Sequence, residues 1–279
     1  MTQTIKHNDD IYQLHWPTEG ETKGIILLVH GLGEHCERYA RLAEFVNNAG
    51  YAMCSIDLPG HGQSAGKRGH IDRFADFETA VLGLYENMNG LYPESDVFLL
   101  GHSMGGLIAT HLLLQHQHLF KGAMLSGPAI QSPQTPSAVQ LKIISIVGKI
   151  LPRLGMLKLD ASQVSRDPAV VEDYMNDPLV SKSKLSARLL TEMFSSMQDC
   201  VEQAAAIRLP MLIMHGGADV MTAPEGAQLL YDSISSSDKT LKIYPGLYHE
   251  IFNEPEQLEI YAEMVAWLDA HRTTKSVAA

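Results

Sequence analysis

The hexapeptide GHSMGG, residues 101–106, constrains this 279-residue chain more than any other stretch. It follows the apolar run DVFLL and leads straight into LIATHLLLQ. A strand that meets a helix across so short a junction must turn sharply, and the turn forces the residue at its apex into strained backbone. That residue is Ser103. Side chains at positions 101 and 105 would collide with neighbouring backbone, so Gly101 and Gly105 are steric requirements of the turn. The helix that follows aims its free N–H groups and the positive end of its dipole at any negative charge developing beside the serine.

The rest of the chain has the pattern that such a turn needs. Strands are expected at GIILLVHG (24–31), YAMCSID (51–57), DVFLLGHS (96–103), GAMLSG (122–127), PMLIMHG (210–216) and TLKIYPG (240–246). They are apolar at both parities, as in parallel strands buried on two faces. Between them, RYARLAEFVNNAG, FADFETAVLGLYENMNGLY and EGAQLLYDSIS read as amphipathic helices. Alternation of strand and helix implies a wound α/β sheet. The first twenty residues suit an N-terminal hairpin, and TTKSVAA at the end reads as a frayed tail.

One spacing is out of line. The stretch between the strands ending at Gly127 and starting at Pro210 far exceeds the dozen or so residues that a parallel crossover needs. It carries apolar periodicity of its own, so residues 128–195 are expected to form a helical cap, with 1–127 and 196–279 forming the core. Within the cap, Val139, Ile143, Ile144, Ile146, Val147, Ile150 and Leu151 fall on one face of a helix, with Lys142 and Lys149 opposite. Packing within the cap is the expected use of that stripe; a lid touching an apolar substrate or a membrane surface is the alternative.

A serine hydroxyl is a weak nucleophile at neutral pH. It needs a general base, and the base needs an orienting carboxylate. HGGADVMTAPEG places Asp219 just after a strand, and YPGLYHEIFNE places His249 after the last one. Both fall at the C-terminal ends of strands, where open parallel sheets bind ligands. The other loop that could hold the acid, after GAMLSG, has no carboxylate. The backbone N–H groups of Leu32, in LLVHGLGEH, and of Met104 are the expected oxyanion donors. His30 reads as a structural histidine. DLPGHGQS reads as a turn beside the site, and His111, His116 and His118 match no metal-ligand spacing.

Composition excludes several other classes. A formal net charge of -11 repels phosphate backbones, so nucleic acid is not an expected partner. Three scattered cysteines indicate neither a disulfide framework nor a zinc site and fit a reducing compartment. The N-terminus lacks an apolar signal core, and no stretch reaches membrane-spanning length. The expected location is therefore cytoplasmic, with peripheral membrane contact through the cap as a further option. Nothing specifies an oligomeric state, and the chemistry requires no metal or organic cofactor.

Taken together, LLVHGLGEHCERY, DLPGHGQSAGKRGHI, GHSMGG, HGGADVMTAP and YPGLYHEIFNE resemble the monoacylglycerol lipase and lysophospholipase branch of the α/β-hydrolases. SRDP (165–168) and NDPLV (176–180) resemble that branch's cap. The resemblance implies an α/β-hydrolase fold and a serine esterase with an apolar acyl tunnel under its cap. It also implies that Glu34 and Arg38 border the polar head-group end. Two positions depart from the pattern. Cys36 stands where serine is common, and Phe252 stands where mammalian members have a second histidine. The implied substrate is a monoacylglycerol, cleaved to a fatty acid and glycerol. A lysophospholipase, a general carboxylesterase and a hydrolase-fold receptor for a small ligand are the competing readings.

Overall fold

The structure is a computed structural model that describes residues 10–134 and 136–274, together with the backbone of 3–7. The last five residues of the expected tail lie outside that range. An antiparallel pair, β1 (Gln3–His7) and β2 (Ile11–Trp16), opens the chain as the expected hairpin. Then come β3 (Ile25–Val29), α1 (Ala40–Asn48), β4 (Ala52–Ile56), α2 (Ala75–Leu91), β5 (Val97–His102), α3 (Met104–His116) and β6 (Gly122–Ser126). The long connection between β6 and β9 holds α4 (Ala138–Ile150), β7 (Gly155–Leu157), α5 (Pro168–Asn176), β8 (Leu185–Ser186) and α6 (Ala187–Gln203), a single helix that runs through the expected cap boundary at residue 195. The chain closes with β9 (Met211–Gly216), α7 (Pro224–Ser233), β10 (Lys239–Tyr244) and α8 (Gln257–His271).

Eight strands form one sheet in the order β1-β2-β4-β3-β5-β6-β9-β10, with β2 antiparallel to both neighbours and every pair from β4 to β10 parallel. The residues of β3, β4, β5, β6 and β9 are buried along their whole length. Alternation then sorts their side chains between two cores. Ile26, Leu28, Phe98, Leu100 and Met214 pack with α1 and α8 on one face. Ile25, Leu27, Val29, Leu99 and Ile213 pack with α2, α3 and α7 on the other. The winding reverses beside β3. The chain leaves it through α1 to β4 on one side and returns through α2 to β5 on the other. Right-handed crossovers in opposite directions put their helices on opposite faces and open a crevice at the strand ends.

The inserted segment lies over those ends. β7 and β8 pair antiparallel, Ser137 and Gln140 form a reciprocal cap at the start of α4, and Asp167 with Pro168 starts α5. The insert is tied to the core at several points. Ser181 N–H donates to Gly33 O at 2.7 Å, Ser186 N–H to Gly69 O at 2.8 Å, and Glu250 N–H to Val164 O at 2.8 Å. Arg166, of the SRDP stretch, pairs with the fully buried Glu254 at 2.9 Å.

The apolar stripe of α4 is used differently from the expectation of packing within the cap. Gly148 is the buried residue of that helix, and it lies so close to α6 that a Cβ would meet Thr191 Oγ1 at 2.4 Å. Val139 (68% exposed), Ile143, Ile146 and Ile150 (71% exposed) face solvent. The apolar arc is wider than the edge that α6 covers, so most of it is left over. Leu151, Leu154, Met156 and Leu157 extend the exposed apolar surface past the end of the helix.

Candidate active site

Ser103 caps the N-terminus of α3 with φ 54° and ψ −119°, a conformation that L-residues rarely adopt. The surrounding turn enforces it. Ser103 N–H donates to Ser126 O at 2.9 Å, and its carbonyl accepts from Leu107 and Ala129 at 3.1 and 3.0 Å. A Cβ at position 105 would lie 2.0 Å from Val29 O, and one at 101 would lie 2.5 Å from Gly105 O. Both glycines are therefore required by close backbone approach. Met104 is the first residue of α3, so its N–H has no partner within the helix. Leu32 follows β3 across the crevice, and both residues line the same cavity as Ser103.

The loop carrying Leu32 is held from behind. Gly31 N–H donates to Glu34 Oε1 at 2.6 Å, and the same oxygen accepts from Tyr39 Oη at 2.8 Å. His30 is fully buried. Its Nδ1 faces Gly31 O at 2.8 Å, and its Nε2 accepts from Leu58 N–H at 3.0 Å, which fixes the tautomer and leaves it as scaffolding. In the following loop, Asp57 accepts from Cys36 N–H at 2.8 Å and Gln63 N–H at 2.7 Å, so DLPGHGQS braces the wall.

Asp219 and His249 come together at the other side. His249 Nδ1 lies 2.7 Å from Asp219 Oδ2, and both residues are buried. Oδ1 of Asp219 accepts from Met221 N–H at 2.7 Å and Thr222 N–H at 3.1 Å; Oδ2 also accepts from Thr222 Oγ1 at 2.8 Å. Burial opposes ionisation of this carboxyl. The charge of His249 and hydrogen bonds from His215 and His249 outweigh it and hold the acid well below the usual carboxylate range. Burial would lower the pKa of His249, but the charge and hydrogen bond of Asp219 raise it above the ordinary 6.5. His102, whose ring centroid is 4.8 Å from that of His249, is pushed down to about 4, first by burial and then by His249.

Arg38 joins three parts of this site. Its Nη1 lies 2.6 Å from Glu34 Oε2 and 2.7 Å from Glu250 Oε1, its Nη2 lies 2.7 Å from Glu250 Oε2, and its guanidinium stacks 4.5 Å above the Tyr174 ring of α5. Burial would raise the pKa of Glu34, but Arg38 and neighbouring histidines bring it down to about 2. Glu34 and Glu250 reach the cavity wall, while the guanidinium of Arg38 is occupied by the two carboxylates behind it. Sequence reasoning missed Glu250, which follows His249 directly. It also missed Thr222 and His215, which bracket Asp219.

Ser103 and His249 open into a cavity walled on its apolar side by Leu159, Leu185, Leu190, Met193, Phe194 and Met197. A neighbouring space of ≈ 1190 Å³ shares Leu32, Tyr174 and Met221 with it and adds Ser162, Ser181 and Ser183. A strained serine and an imidazole fixed by a buried carboxylate around one apolar chamber suit acyl transfer from an apolar ester.

The chain matches the family described as serine aminopeptidase S33 over residues 20–256. It is 36% identical to the monoacylglycerol lipase of Mycolicibacterium smegmatis, covering 92% of this chain and 91% of the relative. It is 32% identical to the monoglyceride lipase of Mus musculus, over 92% of this chain and 86% of the relative. Its fold superposes on the crystal structure of Paleococcus ferrophilus monoacylglycerol lipase with a TM-score of 0.85 and 35% identity, covering 94% of this chain and 99% of the other. With its reversed parallel sheet, serine turn and capped apolar chamber, the chain belongs to the serine aminopeptidase S33 family of α/β-hydrolase-fold serine hydrolases, the family it shares with these lipases.

Proposed function

We propose that the protein is a monoacylglycerol lipase in which Ser103, Asp219 and His249 form the catalytic triad. One observation carries the reading: the strained Ser103 opens into an apolar chamber beside His249, whose Nδ1 is held by the buried Asp219. The relatives named monoacylglycerol lipase support the choice of substrate. His249 takes the hydroxyl proton as Ser103 Oγ bonds to the ester carbonyl carbon. The carbonyl oxygen becomes an oxyanion, held by the N–H groups of Leu32 and Met104. On collapse the C–O bond to glycerol breaks, and His249 gives its proton to the departing alkoxide. A water molecule, deprotonated by His249, then releases the fatty acid and restores Ser103. The acyl chain lies among Leu190, Met193, Phe194 and Met197, residues 128–195 act as the cap, and Glu34 borders the head-group end with Arg38 behind it.

Among the described residues no helix is long and apolar enough to cross a membrane. The exposed stripe of α4 suits lipid contact from one side instead. Lys142 and Lys149 lie on the opposite face of the helix, so the contact rests on apolar burial of the exposed stripe.

The substrate assignment is tested by comparing kcat/KM for a long-chain monoacylglycerol, the matching lysophosphatidylcholine and a short-chain ester. The monoacylglycerol leads if the reading is right. A clear preference for the lysophospholipid or the small ester transfers the protein to that class.

A further inference from the structure

Asp219 holds more donors than are needed to orient one imidazole. His215, the penultimate residue of β9, is fully buried, and its Nε2 lies 3.0 Å from Asp219 Oδ2, the oxygen that His249 Nδ1 approaches at 2.7 Å. A carboxylate and a carbonyl only accept, and Thr222 O also lies 3.3 Å from this nitrogen, so the proton sits on Nε2 of His215. Its Nδ1 is buried with no partner and is the bare nitrogen; a proton there would have no acceptor. His215 lines neither cavity and cannot touch substrate. An apolar side chain would fill this place in the sheet without stranding a ring nitrogen, so the imidazole is explained by what its other nitrogen does.

We propose that His215 is a positioning residue of the catalytic apparatus, acting through Asp219 as a second imidazole on the oxygen that holds His249. The inference rests on the reading of Asp219 as the catalytic acid. With Thr222 Oγ1 at 2.8 Å, Oδ2 has three donors around it and cannot swing away from His249. The same donors draw charge off that oxygen, which limits how strongly Asp219 stabilises the protonated base. The other ionisable groups bearing on His249 are Glu250 and Glu34, both paired with Arg38, and the ring of His102. None of these bonds to Asp219; substitutions at His215 also reach Thr222, whose O and Oγ1 lie 3.3 Å from His215 Nε2 and whose Oγ1 lies 3.3 Å from His249 Nδ1.

The test compares the parent with His215→Leu and His215→Gln, measuring kcat and KM across pH on a short-chain aryl ester. Losing the Nε2 donor makes Asp219 more basic and His249 easier to protonate. In His215→Leu the acid limb of kcat/KM moves up by about half a pH unit or more. Its kcat falls roughly tenfold, and KM stays put. Glutamine can place an N–H where Nε2 was, and it restores both. A leucine variant with the parent's limb and kcat, or a glutamine variant as impaired as leucine, overturns the inference. Should the leucine variant not fold, proton NMR of the parent decides it. An Nε2–H resonance for His215 beside that of His249 Nδ1–H supports it, and an Nδ1–H tautomer overturns it. Asp219→Asn is measured alongside. Full activity there removes the acid assignment itself, whereas loss there with unaltered His215 variants removes only this inference.

Discussion

In the proposed mechanism His249 must be neutral to accept the proton of Ser103, so the pH at which it becomes charged sets the acid side of activity. The pair with Asp219 raises its pKa above 6.5, and a raised pKa keeps the charged, inactive form to higher pH. The acid limb of kcat/KM is therefore expected above 6.5 in the parent. In Asp219→Asn the carboxylate charge is gone while burial, which lowers the pKa, remains. The limb then moves to lower pH, and kcat falls by about 10⁴ because the imidazole loses its working tautomer. An unmoved limb in that variant contradicts the pairing seen between His249 Nδ1 and Asp219 Oδ2. Ser103, Asp219 and His249 were legible as candidates because each follows its own apolar strand. His215 was not, because within PMLIMHG it reads only as the end of a strand. Arg38 and Glu250 lie 212 positions apart, and no local pattern joins them.

At the scale of elements, continuous apolar runs gave away the parallel strands, and Gly105 beside Ser103 gave away the turn into α3. Periodicity was a weaker guide for α4. It locates an apolar arc but not the partner that covers it, and α6 covers only one edge. The exposed part of that arc makes a prediction of its own. The parent should bind vesicles, because the exposed face buries apolar surface in the lipid. Ile143→Glu puts a charge in the middle of the face and should weaken vesicle binding while leaving hydrolysis of a dissolved short-chain ester unchanged. Equal binding by parent and variant in flotation would remove the lipid-docking reading of this helix.

Across the whole molecule, one buried charge cluster links the loop after β3, the loop carrying His249 and the cap. Arg38 neutralises Glu34 and Glu250 and packs under Tyr174. Removing one partner of a buried ionic network leaves uncompensated charge, which costs about 3–5 kcal/mol. Arg38→Met should lower the denaturation midpoint accordingly and slow turnover, because Glu34 also holds Gly31 beside the proposed oxyanion site. A variant with the parent's midpoint would show that the cluster contributes little. The fold thus brings Ser103, His249 and an apolar chamber together from segments that span most of the sequence. The most direct test is fatty-acid release from a long-chain monoacylglycerol by the purified protein, with Ser103→Ala alongside. The account predicts multiple turnover by the parent and a loss of kcat on the order of 10⁶ in the variant, with the fold intact. Hydrolysis that persists in Ser103→Ala, or a parent that stops after one turnover, would contradict it.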